Sequence, residues 1–259
     1  MISRKASLVL LLVITAAIVL ACCLLPRFPQ PLTYHQFADR RGLFGIPNFG
    51  DVFSNLPFAV IGVLGLAFLW QSKSKPDAGH FIDCREQLPY LFVFAGLLLT
   101  ALGSSYYHLN PNNATLVWDR LPMAIVFMAF FSIVIAEHID ARAGRVLFYP
   151  LVAGAIASVI YWHFTEAAGH GDLRPYIIAQ YLPMILVPLI LLLFPSRSPQ
   201  ARFIWAVLGA YVLAKIFELA DEEIFALTGS IGGHALKHLA AAFGVYMFLL
   251  AVRRRHAPA

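Results

Sequence analysis

The amino-acid sequence predicts an all-α integral membrane protein with eight spanning helices, and three observations carry that prediction. Hydrophobic residues make up 60% of the 259 and charged residues only 13%, with a mean hydropathy of +0.74. The chain therefore has more apolar surface than one water-soluble core can bury, and the excess must face lipid. Eight mostly apolar runs have the length of about 20 residues that crosses a hydrocarbon core of about 30 Å. Lys and Arg gather in alternate connectors, as in proteins that keep basic residues on the cytoplasmic side.

The first run, residues 6–25, follows a basic start, Met1-Ile2-Ser3-Arg4-Lys5. That start also suits a signal peptide, but the run exceeds the about 7–15 residues of a signal h-region and lacks a clean small-x-small cleavage site. Val19-Leu20-Ala21-Cys22 is a poor lipobox. Cleavage would leave the other runs and their orientation unchanged. Those runs are 52–70, 88–108, 121–138, 146–164, 176–194, 203–219 and 234–252. The longest connectors, 26–51 and 71–87, leave no room for a second soluble domain, and no repeat is present. The expected organisation is an N-terminal transmembrane helix within residues 1–30 and one membrane domain over 31–259. Adjacent Cys22 and Cys23 with a lone Cys84 make no disulfide framework.

With the N-terminus in the cytoplasm, twelve of the nineteen Lys and Arg fall on the cytoplasmic side and five on the other, with Lys215 and Lys237 inside runs. Both termini are then cytoplasmic. Topology and contact with membrane phospholipid account for the net charge of +5, with no nucleic acid as partner.

Ionisable groups are costly in a bilayer and mark function. The third run ends Gly103-Ser104-Ser105-Tyr106-Tyr107-His108, Asp119-Arg120-Leu121-Pro122 opens the fourth, and His234-Ala235-Leu236-Lys237-His238 opens the eighth. The topology puts all three near the outer leaflet. His234 and His238, four apart, share a helix face. His108 lies at matching depth, and three neutral imidazoles plus a water make an open tetrahedral zinc site. Ser104, one turn before His108, and Asp119 can reach that water. A single rim histidine is ordinarily an interfacial side chain bonded to a loop; agreement in depth sets these three apart. His35, His80, His163, His170 and His256 have no partner at helical spacing and take no metal role, and His138 beside Glu137 and Asp140 reads as a solvated helix end.

These residues resemble the alkaline ceramidases, within a superfamily of seven-helix membrane metal hydrolases that includes the adiponectin-receptor-like proteins. Ser104-x3-His108, Asp119 with Pro122 behind it, and His234-x3-His238 agree with that family in order and spacing, and Ser54-Asn55 is similar to the opening of its first core helix. The resemblance covers roughly residues 37–252 and implies a seven-helix hydrolase core preceded by one additional N-terminal transmembrane helix. It further implies that His108, His234 and His238 bind zinc, and that Ser104 and Asp119 hold or polarise the metal-bound water. The implied reaction is hydrolysis of ceramide or a related N-acyl lipid. Zinc lowers the pKa of bound water from 15.7 to about 7, leaving Asp119 to carry a proton to the leaving amine and Ser104 to bond the oxyanion. The family's calcium site, just before its first core helix, is matched by Asp39, Asn48 and Asp51, with fewer carboxylates and with Arg40 and Arg41 alongside. Helix capping and loop closure is the alternative role for Asn48 and Asp51.

Lys215 and Glu218, three apart, form an intramembrane ion pair or a group that orients the histidines or relays protons, and Asp221, Glu222 and Glu223 extend the acidic cluster. Asp172 and Arg174 lock a turn. A centre near one leaflet suits a lipid amide that enters from the bilayer into a pocket lined by Phe, Leu and Ile. Two other classes use the same histidines: a non-enzymatic receptor or retinal-type pigment with a Schiff base at Lys215 or Lys237, and a metal transporter, which needs polar residues through the full membrane depth.

Overall fold

A computed structural model describes residues 3–74, 81, 84–195 and 201–255, and the regular structure among them is helical. His80 and His256, and Lys75 and Arg197 of the charge count, lie outside the described residues. The helices are α1 (Arg4–Leu24), α2 (Phe49–Phe53), α3 (Leu56–Ser74), α4 (Cys84–Leu109), α5 (Asn113–His138), α6 (Ala141–Ala167), α7 (Arg174–Leu193), α8 (Ala201–Leu219), α9 (Asp221–Thr228) and α10 (Gly233–Arg253).

Seven spans are long and apolar enough to cross a membrane, α2 and α3 counting as one over Phe49–Ser72. The seventh predicted run is different. α8 carries Arg202, Lys215 and Glu218 and turns by 74° into α9, and the bent pair is the eighth candidate. Length and composition thus make this a multi-pass membrane protein. Leu12, Tyr149, Phe164 and Leu192 stand exposed on its outer surface, where lipid accepts them without cost.

Several helices run past their predicted ends because the extra turns are polar and capped. Asn112 accepts the amides of Ala114 and Thr115 at 2.9 and 3.0 Å, and Asp140 accepts that of Ala143 at 2.7 Å. Each cap satisfies helix-start donors that hydropathy cannot register.

α5 lies at the centre, with 56% of its apolar window buried, against 11% for the peripheral α1. Its crossing with α4 is close: a Cβ at Gly103 would lie 1.9 Å from the Trp118 carbonyl oxygen. Only glycine allows that approach, which carries Ser104 and His108 alongside Asp119. Gly233 does the same for α10, where a Cβ would come within 2.2 Å of the Phe217 carbonyl oxygen at the end of α8.

α1 packs on α7, and Arg174 ties it down by donating to the Cys23 and Leu25 carbonyls at 3.1 and 2.6 Å. The chain then runs extended through Pro26, Pro29 and Pro31, residues that disfavour helix before them. The Phe28 carbonyl accepts the Leu173 amide at 3.1 Å, and the Gln30 amide reaches Glu166 at 3.0 Å. Arg120, sandwiched between the rings of Trp162 and Tyr176, donates to Gln30 Oε1 at 2.5 Å.

At the end of the bundle away from the histidines, Glu137 and Asp140 are exposed and His138 half-buried, as a solvated helix end requires, and that end is also tied to other helices. Glu137 accepts from Arg255 at 2.7 Å and from the Tyr90 hydroxyl at 2.9 Å, and Arg255, itself buried, also pairs with Glu86. His138 Nδ1 lies 3.2 Å from the Phe194 carbonyl oxygen. Spacing along one helix does not reveal partners that arrive from α4 and α10.

The expected turn lock is present. Arg174 donates from Nε and Nη2 to the two oxygens of Asp172, each at 2.8 Å. These bonds from Arg174 hold the Asp172 carboxyl down at about 2, below the ordinary value of about 3.9. A depressed folded-state value stabilises the fold above about pH 4 and loses that contribution as pH falls through about 2. Asp172→Asn should therefore lower the melting temperature in detergent at neutral pH, and its deficit against wild type should shrink between about pH 4 and 2.

Candidate metal centre

His108 closes α4 and His234 and His238 lie in the first two turns of α10, and the fold brings the three together in one buried group. Their ring centroids form a near-equilateral triangle, 4.9 Å from His108 to His234, 5.2 Å from His108 to His238 and 4.9 Å between the α10 pair. One nitrogen of each ring lies within 4.8 Å of the others, and no other group of three or more His, Cys, Asp or Glu among the described residues converges in this way.

The nitrogens are chemically ready for a metal. Neither ring nitrogen of His108 has a hydrogen-bond partner, and neither does His234 Nε2, although buried polar atoms are ordinarily paired. His238 is different and more informative. Its Nδ1 lies 2.8 Å from Ser54 Oγ, and that hydroxyl donates its single proton to the Asp51 carbonyl at 3.0 Å. Ser54 Oγ must then accept from His238 Nδ1–H, so the ring's free lone pair is on Nε2. Three neutral imidazoles are a donor set that fits Zn²⁺, whose nitrogen ligands at about 2.0–2.1 Å would stand about 3.3 Å apart.

Asp221, the first residue of α9, fixes the α10 end of the site. Its Oδ1 accepts the His234 amide at 2.8 Å and its Oδ2 the Ala38 amide at 2.9 Å. A carboxylate there satisfies a helix-start donor and suits the positive end of the helix dipole. It also pins the preceding loop, so that Phe37 sits 4.7 Å from the His108 ring and 4.4 Å from the His234 ring. Phe37 and Tyr107, both buried, shield the site with aromatic surface. Tyr107 is held in turn by His35, whose two ring nitrogens lie 2.8 Å from the Tyr107 hydroxyl and 2.8 Å from Asn113 Oδ1.

Ser104 and Asp119 are buried and line with His238, Asn55 and Lys237 the polar end of a cavity of about 160 Å³. Its remaining wall is apolar, with Phe58, Val93, Leu97, Phe130 and Phe248 from α3, α4, α5 and α10.

Of the three residues expected at a calcium site, Asp39 and Asn48 are engaged by protein groups and Asp51 is not. Asp39 is held by Arg41, which donates Nε and Nη2 to its two oxygens at 2.8 and 2.9 Å, and these bonds lower its carboxyl's pKa. Asn48 occupies the start of α2 with φ 46° but makes no side-chain cap; its Nδ2 instead donates to the His108 carbonyl at 2.8 Å. Asp51 is buried with neither carboxylate oxygen bonded.

Spacing and membrane depth anticipated the convergence of His108, His234 and His238 and the placing of Ser104 and Asp119 beside them. They missed what positions them: Ser54 under His238, Asp221 beneath His234 and Phe37 over His108 and His234. Those partners come from distant segments, and the only local signal was the Ser54-Asn55 pair. The pairing of Lys215 with Glu218 is present, and Lys237 joins it from α10 at 2.9 Å. The fold and site define a polytopic helical protein with a buried three-histidine group able to hold a metal ion. The chain matches no known family model and no functionally characterised protein in sequence.

A hydrogen bond to the far nitrogen of a metal-bound histidine is ordinarily worth 10–100-fold in metal affinity. Ser54→Ala should therefore raise the zinc dissociation constant by at least about tenfold, measured by competition with a chelator, while the protein stays folded.

Proposed function

We propose that this protein is a zinc-dependent intramembrane amide hydrolase, cleaving ceramide or a related N-acyl lipid into a fatty acid and an amine base. The observation that carries the reading is the convergence of three buried imidazoles beside buried Ser104 and Asp119 at the polar end of an otherwise apolar cavity. In this reading α2 to α10 make seven crossings, α1 adds one, both termini are cytoplasmic, and the site lies near the outer leaflet. The substrate enters from the bilayer.

Zinc held by His108, His234 and His238 supplies Lewis acidity at neutral pH. Asp119, beside Ser104 in the cavity wall, accepts the proton of the attacking water and returns it to the amine nitrogen as the C–N bond breaks. The Ser104 hydroxyl is the donor at hand for the carbonyl oxygen under attack. Phe58, Leu97 and Phe248 offer apolar surface to an acyl chain and keep bulk water away.

Asp119→Asn should retain zinc but lose turnover of a labelled ceramide by about 10²-fold or more. Full turnover in that variant would remove Asp119 from proton transfer, and failure of the zinc-loaded wild type on every N-acyl lipid tried would remove the hydrolase reading.

A further inference from the structure

We infer that Lys237 is a specificity-determining residue, and that the lipid amide bound in this cavity carries an anionic group beside its scissile bond. The inference rests on the hydrolase reading for the reaction, but its own basis is separate. Lys237 lies between two histidines of the candidate centre and lines the polar end of the cavity with His238 and Asp119. It is the only cation among the described lining residues, and Asp119 the only carboxylate.

Its partner lies behind it. Lys237 Nζ donates to Glu218 Oε1 at 2.9 Å, while the other oxygen of Glu218 is taken by Lys215. Two ammonium groups share one carboxylate, so the cluster carries one positive charge in excess. Asp119 faces that charge from α5 across the cavity but makes no ion pair with Lys237, whose partner is Glu218. The Lys237 side chain keeps 19% of its surface accessible, and an ammonium has three donors.

An ammonium in an apolar wall is costly unless it meets an anion. A neutral head group would set the remaining Lys237 donors against uncharged surface. A carboxylate or phosphate next to the amide would accept a charge-assisted bond from Lys237, at the end of the cavity where Ser104 and Asp119 lie. The substrate class is thus an acidic N-acyl lipid, of which an N-acyl amino acid is the simplest form.

The test compares two lipids with the same acyl chain, N-oleoylglycine and the neutral N-oleoylethanolamine, on zinc-loaded protein. Wild type should prefer N-oleoylglycine by about tenfold in kcat/KM. Lys237→Gln, at wild-type zinc content, should bring the ratio near one, and Lys237→Arg should restore part of it. Equal use of the two lipids by wild type, or an unchanged ratio in Lys237→Gln, would overturn the inference and leave the hydrolase reading standing. If neither amide is cleaved, the hydrolase reading fails, and ligand-induced melting shifts then decide on Lys237. A larger shift with N-oleoylglycine that disappears in Lys237→Gln supports the inference, and equal shifts overturn it.

Discussion

Three imidazole rings buried at one point, with both nitrogens of His108 and Nε2 of His234 left unpaired, are the constraint around which this structure is built. Leaving a buried polar group unpaired costs about 1–3 kcal/mol, so such a cluster needs either a ligand or a scaffold that tolerates the loss. The scaffold is visible. Glycine at 103 lets α4 and α5 touch, glycine at 233 lets α10 reach the end of α8, and Ser54 selects the tautomer of His238. Each of these acts on the direction of a ring more than on the stability of the bundle.

The segment before α3 does the rest. It leaves α1 as an extended, proline-rich strap, is held by Glu166 and Arg120, and folds back over the site to place Phe37 on two of the histidines. One carboxylate, Asp221, ties that segment to the start of α10. Loop, helix start and ring orientation are therefore coupled through two short hydrogen bonds. The same coupling explains the positions of Asp39 and Asn48: Arg41 clamps the first, and the second caps His108's carbonyl, so both serve the architecture of the site.

Much of this was legible in the sequence and some was not, for a physical reason. Apolar runs of spanning length reveal helices because lipid imposes one length on all of them, and His234 with His238 reveals a face because helical spacing is local. Depth in the membrane added His108. Polar helix starts such as Asn112 and Asp140 escaped a hydropathy count, and so did the short α9, whose Asp221, Glu222 and Glu223 read only as an acidic cluster beyond the seventh run. Interactions between helices were invisible. The ion pairs of Glu137 and Glu86 with Arg255 and of Lys237 with Glu218 join residues far apart in the chain, and only packing brings them together.

The central claim is that the three histidines hold one metal ion through neutral nitrogen donors. X-ray absorption at the zinc edge, on detergent-purified protein loaded with one equivalent of zinc, tests it most directly. The account predicts about three imidazole nitrogens and one oxygen donor at about 2.0–2.1 Å, with the imidazole signal or the zinc content reduced in His234→Ala. A shell dominated by sulfur or carboxylate oxygen, or a folded wild-type protein that takes up no zinc, would contradict it.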